Sequence, residues 1–324
     1  MANQFGRLRS RLLTPGMHET KLSTRGFHEK SPEARERLEK VGETFLTGYA
    51  YAAAASSARE AEARLESLTP EFRGFAYEGA GMGMAVRDGL PVGGTHHVAD
   101  LLRGEGAKHV YMVYVGVGWA MARVPRFRWS RMHTADPLLR WLVLDGYGFH
   151  QAYFRTRRYV HEQYQEPGFP WPGGGWSRAA DRVIDQGIGR ALWFVGGTDV
   201  ERVTTMIRSF SEDRHPDLYA GTGLAATYAG GVGEAELRLL RERAGKQGRW
   251  LAQGSAFAAT ARLEAGLGNA HTALATGVLC GTTPEQAMGV CQEALPDPCV
   301  DEGVPAYEIW RRKIADRLAA GVEG

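Results

Sequence analysis

The chain has 324 residues, 44% of them apolar and 23% charged, with a formal net charge of +2. That is the ordinary composition of a folded globular protein and excludes the disordered, collagen-like and disulfide-scaffold classes; so small a charge also excludes nucleic-acid binding as a property of the whole chain. Three cysteines, Cys280, Cys291 and Cys299, are odd in number and confined to the C-terminal region, and the longest uncharged apolar stretch, Val110 to Ala122, has 13 residues where a spanning helix needs ~20, so a cytoplasmic protein is expected.

Residues 1–30 carry Arg7, Arg9, Arg11, Lys21, Arg25 and Lys30 against Glu19 and Glu29, with Phe5, Leu8, Leu12 and Leu13 interleaved. The pattern predicts a basic arm, either solvated or forming a short amphipathic docking helix that associates peripherally with a membrane partner.

From residue 31 onward the signal is repetition. Aligned on Gly48, Gly79, Gly116, Gly146, Gly187, Gly221 and Gly254, the chain divides at intervals of 31, 37, 30, 41, 34 and 33 residues. Three positions before each anchor stands an apolar residue, and two after it only Ala or Gly. At plus three stand Tyr51, Met82, Trp119, Phe149, Arg190, Leu224 and Phe257, and at plus four small residues with His150 as the exception. A period near 34 is the length of one helix-turn-helix unit. The expected fold is therefore all-α, with about seven helical-hairpin repeats forming an open solenoid or a closed array. The repeat domain is placed at 31–295 and a helix packed on it at 296–324. Asp199 or Thr198 is placed to cap a helix running to Phe210, and a helix through Leu237 and Leu240 should close at Gly245. The β-branched run Val110 to Val117 keeps open an alternative α/β reading with a small sheet. Residues 166–176, rich in Gly, Pro and Trp, read as a loop that either caps the core or covers a site.

Glycine inside a helix costs roughly 1 kcal/mol relative to alanine. Thirteen glycines occupy the anchor, plus-two and plus-four columns, so close approach of helix backbones, or of a ligand to helix backbone, must offset a large penalty. The second possibility makes Gly116, Gly118, Gly148, Gly187 and Gly189, with Trp119, Phe149, Gln186 and Gln253, candidate substrate-binding residues. Recurrence of Gly-x-Gly in successive units argues against a dinucleotide fingerprint, which occurs once and after a strand. No metal-ligand spacing is present, and neither a metal nor a cofactor is expected.

Glu78, Asp145, Asp185, Gln186 and Gln253 lie beside anchors in otherwise apolar or small-residue segments. Either they tie neighbouring units together or they converge on a shared surface, where burial would raise carboxyl pKa values toward acid–base use. His150 and Arg190 depart from their columns in units that also carry Asp145 and Asp185. With Tyr147 and Glu78 they complete the catalytic candidates. Arg123, Arg126, Arg128 and Arg131, with two aromatics among them, form a patch suited to an acidic partner or a phosphate, such as a carrier protein with its phosphopantetheine arm; a solvated basic turn is the alternative.

Phe72-Arg-Gly-Phe-Ala-Tyr-Glu-Gly-Ala80, Val113-Tyr-Val-Gly-Val-Gly-Trp-Ala-Met-Ala-Arg123, Leu144-Asp-Gly-Tyr-Gly-Phe-His-Gln-Ala-Tyr-Phe154 and Asp185-Gln-Gly-Ile-Gly-Arg-Ala-Leu-Trp-Phe194 resemble the UNBL-type proteins. That family, of unassigned function, is encoded beside enediyne polyketide synthases in actinobacteria. The similarity extends from Leu12 to Trp310. The resemblance implies a role between synthesis of a linear conjugated polyene and completion of the enediyne core. On that basis the protein binds the polyene, free or carrier-bound, and assists its conversion, with the polyketide synthase or its carrier domain as a partner; the alternative is a non-catalytic scaffold. The family supplies no catalytic residues.

Overall fold

The computed structural model describes residues 14–90, 94, 96–171, 177–297, 299, 301 and 303–320. Helices account for its regular structure: α1 (Pro32–Ala54), α2 (Ala58–Leu65), α3 (Pro70–Gly89), α4 (His97–Leu102), α5 (Val110–Met121), α6 (Leu142–Phe154), α7 (Ser177–Val195), α8 (Val200–Ser209), α9 (His215–Tyr228), α10 (Glu234–Ala244), α11 (Gly248–Glu264), α12 (Ala270–Cys280), α13 (Pro284–Glu293) and α14 (Ala306–Ala320). The all-α expectation holds. Val110 to Val117 lies in α5, whose residues from Met112 to Met121 are all buried; a helix enclosed on every side shows no amphipathic period, which is why its sequence also suits a strand. Among the described residues no helix is long and apolar enough to cross a membrane.

Each anchor glycine lies on an inner helix, and the inner helices pack in chain order: α1 on α3, then α5, α6, α7, α9 and α11. Shorter amphipathic helices lie outside them. Asp199 accepts a hydrogen bond from the Arg202 amide at the start of α8, and Gly245 closes α10. After α5 and α6 the outer helix is replaced by 3-10 turns and a single π turn, Arg157–His161, so the hairpin is not uniform.

The glycine columns are helix–helix contacts. An added Cβ on Gly116, Gly146, Gly187, Gly221 or Gly254 would fall within 3.0 Å of the carbonyl oxygen of the residue that precedes the previous unit's anchor. At the plus-two glycines, Gly81, Gly118, Gly148, Gly189 and Gly223, the obstructing carbonyl is that of the residue three before the next unit's anchor. Each crossing therefore uses one glycine from each partner, the anchors being received at minus-one carbonyls and the plus-two glycines at those of the apolar minus-three column. The first unit is out of register by two residues: Gly48 faces the Ala76 carbonyl, a plus-two contact, and Gly79 faces that of Phe45, which puts Leu46 in the anchor place and the buried Tyr49, not Tyr51, at plus three.

The row curls back on itself. The ring of Phe75 in α3 meets that of Tyr228 at the end of α9 with centroids 5.1 Å apart, and Arg262 of α11 donates to the carbonyls of Glu71 and Tyr228 at 3.1 and 2.7 Å. The ends of the coil thus join through side chains and caps, with Gly74 of α3 leaving room for the Tyr228 hydroxyl, and not through glycine–carbonyl contacts. The last helix, α14, packs against α11 and α13. Residues 14–30 are not a solvated arm: Leu22 and Phe27 are buried, and Lys21 pairs with Glu39 and Glu43 of α1 at 2.9 and 3.0 Å. The remainder of the basic segment, residues 1–13, lies outside the described residues.

Alanine substitutions separate contact glycines from idle ones. Gly254→Ala drives a methyl group into the Ala220 carbonyl, a backbone atom, and should cost at least about 3 kcal/mol. Gly277→Ala, on α12 with open space around it, should stabilise by roughly 0.5–1 kcal/mol. Chemical denaturation reads both, and equal stabilities would contradict the contact assignment.

Candidate functional site

In a helix, residues four apart share a face. The minus-one and plus-three columns are four apart, and both turn toward the inside of the coil. There they wall a chamber of about 70 Å³ bounded by Phe45, Met82, Trp119, Phe149, Arg190 and Leu224. A second chamber of about 40 Å³ lies beyond Arg190 and is bounded by Val115, Asp145, Leu224, Phe257 and Trp310. Arg190 and Tyr228 line both.

Arg190 is almost fully buried and reaches two carboxylates from two other helices. It donates through Nη1 to Asp145 of α6 and through Nη2 to Glu78 of α3, the latter at 3.4 Å. Glu78 also accepts from Trp119 Nε1 at 3.0 Å, and Asp145 from Gln186 Nε2 at 2.7 Å. Gln186 donates in turn to the Tyr307 hydroxyl of α14 at 3.1 Å. Burial pushes the Glu78 carboxyl above the usual carboxylate range, with Arg190 opposing and the Asp145 charge adding to the rise; the Arg190 guanidinium itself is held above its usual value by the two carboxylates. Two acids and one cation thus sit between two apolar spaces.

Glu78, Asp145, Gln186 and Arg190, with Trp119 and Phe149 on the wall, are therefore brought together. Asp185, one position before Gln186 and rotated about 100° from it, faces outward. Arg214 holds it with a fork, Nε to Oδ2 at 2.8 Å, while burial pushes its carboxyl up to about 7. Tyr147 also points away, accepting from Gln151 at 2.7 Å and packing against Trp129 and Phe169. Gln253 is engaged by Arg311 of α14 at 3.3 Å. His150 packs edge-on to Trp119 and against Phe154 without lining either chamber; its Nδ1 has no hydrogen-bond partner, and burial with the nearby Arg123 and Arg155 lowers its pKa to about 3. Gly116, Gly118, Gly148, Gly187 and Gly189 face helix backbone, as described above, and not a chamber wall.

The arginine patch is divided in the same way. Arg126 pairs with Glu166, Arg131 donates to the Leu90 carbonyl at 3.3 Å, and Arg128 lies over the ring of the exposed Phe127. Arg123, by contrast, reaches the mouth of the first chamber beside Glu19 and Thr20. The described part of the Trp-rich loop, up to Trp171, caps the core: Trp171 is buried with its ring 6.0 Å from that of Trp141. Tyr307 and Tyr228 were not signalled by the repeat, the first because α14 comes from outside it; Phe45 was, but in the minus-three column of Gly48 and not in the minus-one place that the structure gives it.

A protein-family model matches residues 4–318, nearly the whole length, and its description is a protein of unknown function, DUF1702. The chain belongs to the DUF1702 family. No curated protein and no solved structure matches it significantly. The DUF1702 match reaches every helix described here, stopping two residues short of the end of α14, and assigns chemistry to none of them.

Two stability measurements test this geometry. Removing Arg190 leaves two buried carboxylates without their cation, so Arg190→Met should cost about 3–5 kcal/mol, and adding Glu78→Gln and Asp145→Asn to it should recover most of that loss. Failure of the triple variant to recover would contradict the assignment of Arg190 as partner of both acids. His150 is neutral in the folded state down to pH about 3 but protonates near 6.5 when unfolded, so acidification through that window favours the unfolded chain. His150→Phe removes this contribution, and its stability advantage over the wild type should grow by about 1.4 kcal/mol per pH unit as the pH falls from 6.5 toward 3. A constant difference would contradict the burial of a neutral imidazole.

Proposed function

We propose that the interior of the coil binds a linear apolar chain, a conjugated polyene polyketide, and assists its conversion toward an enediyne core. The observation that carries the reading is a pair of aromatic and aliphatic chambers that share Met112, Leu224, Tyr228 and Arg190 as a common wall, with Glu78 on one side of Arg190 and Asp145 on the other. Narrow apolar spaces with a few convergent polar groups are the usual form of small-molecule sites. The link to enediyne formation comes from the resemblance of the chain's motifs to UNBL-type proteins.

At about 70 and 40 Å³ the chambers are small, and each alone holds only a short piece of a chain. A long polyene occupies both, and its passage moves Arg190 from between them. Withdrawal of that cation removes what holds the Glu78 carboxyl down, so Glu78 becomes a neutral acid beside the chain. Glu78 then donates a proton to one carbon of the polyene and Asp145 takes one from another, a redox-neutral double-bond shift that shortens the conjugation, with Trp119 and Phe149 as flat walls; the oxidation that makes alkynes falls to a separate oxidoreductase step.

A second reading, a scaffold that assembles the synthase with other core-forming proteins, is favoured by one feature: Phe127 is 76% exposed and flanked by Arg126 and Arg128. The absorption spectrum of a linear conjugated polyene distinguishes the two. With purified wild-type protein the polyene bands should shift and then fade as conjugation is shortened, whereas Glu78→Gln should keep the shift and lose the fading. A shift without fading in the wild type reduces the role to binding, and an unchanged spectrum rejects the chamber in favour of the scaffold.

A further inference from the structure

Four charged side chains line the first chamber, and three of them are matched. Glu78 is bound by Arg190 and Trp119, Arg190 by Glu78 and Asp145, and Glu19 by Arg25. The fourth, Arg123, is exposed at the mouth, and among the described residues its guanidinium has no hydrogen-bond or ion-pair partner.

Arg123 lies just beyond the C-terminus of α5, where an arginine also complements a helix dipole. The carbonyls there are served by other groups, however. Trp129 Nε1 donates to Met121 and Val124 at 3.0 and 3.3 Å, while the amides of Arg123 and Val124 both bond Ala120. The guanidinium is thus left over from helix capping and stands where an apolar space opens to solvent.

We infer that the occupant of the chamber is a linear apolar chain ending in a carboxylate, held with that carboxylate on Arg123 at the mouth and its tail directed toward Glu78 and Arg190. The inference rests on the chamber being the chain-binding site. One guanidinium fork matches one carboxylate. The polarity follows from the other end: Glu78 and Asp145 already flank Arg190, so a third carboxylate there meets two like charges, whereas at the mouth it meets the unmatched Arg123, with the neighbouring Glu19 already neutralised by Arg25. The apolar wall between the two ends, with Trp119 and Phe149 rings 5.0 Å apart, suits the hydrocarbon. The class of ligand is therefore an unsaturated fatty-acid-like anion, and the reaction that supplies it must release a free carboxylic acid, as thioester hydrolysis does.

The probe is cis-parinaric acid, a linear conjugated tetraene carboxylate whose fluorescence rises on leaving water, compared with its methyl ester on the full-length protein. The wild type should bind the acid about tenfold or more tightly than the ester, the difference expected for a charge-assisted pair. Arg123→Gln should bring the acid to the ester's affinity and leave the ester unchanged, and Arg123→Lys should keep part of the preference. Arg126→Gln, which removes an equal charge nearby, should leave both affinities as they are. Equal binding of acid and ester by the wild type, or an undiminished preference in Arg123→Gln, overturns the carboxylate assignment and leaves the chamber reading standing. Absence of binding by either probe overturns both.

Discussion

The structure depends on a contact between backbones: a glycine of one inner helix against a carbonyl of the next, made from both sides at successive crossings. Each such glycine is unfavourable for the helix that carries it by roughly 1 kcal/mol. What offsets this is close interlocking, which admits no Cβ and so fixes the rotational setting of every inner helix. Once that setting is fixed, the positions just before the anchor and three after it face inward together. The chambers, the aromatic wall and the buried ion set are consequences of that rotation.

Within this frame Arg190 occupies a place that neighbouring units fill with Met82, Trp119, Phe149, Leu224 or Phe257. A buried guanidinium is costly unless matched, and it is matched by acids from α3 and α6, helices that are not its sequential pair on both sides. An ion set that only tied adjacent units together would not need to cross the interior. Its position instead places a matched charge in the wall shared by two apolar spaces, which is the ground for proposing that it moves to admit a ligand.

Much of the fold was legible because the repeat columns are direct traces of backbone contact, and backbone contact tolerates few residue types. The first unit misled for the same reason: Gly48 is a genuine contact glycine, but it belongs to the plus-two column, and only its partner, Ala76, reveals this. The site was legible in part. Glu78, Asp145 and Gln186 were marked by polarity in apolar surroundings and Arg190 by its departure from its column, but Asp185 was marked in the same way as the first three and Tyr147 was grouped with Arg190, and both face outward. Register separates them: minus one and plus three lie on the inner face, minus two and plus one do not. Tyr307 carries no repeat signal, since its place depends on how α14 folds back onto the coil.

The central claim is that the coil's interior, not its outer surface, receives the ligand. A crystal structure of the protein grown with a linear conjugated polyene tests it most directly. The account predicts extended density along the wall formed by Trp119 and Phe149, running past a displaced Arg190 toward Phe257. Density only around the exposed Phe127, or chambers unchanged with Arg190 still on Glu78 and Asp145 at saturating polyene, would contradict it.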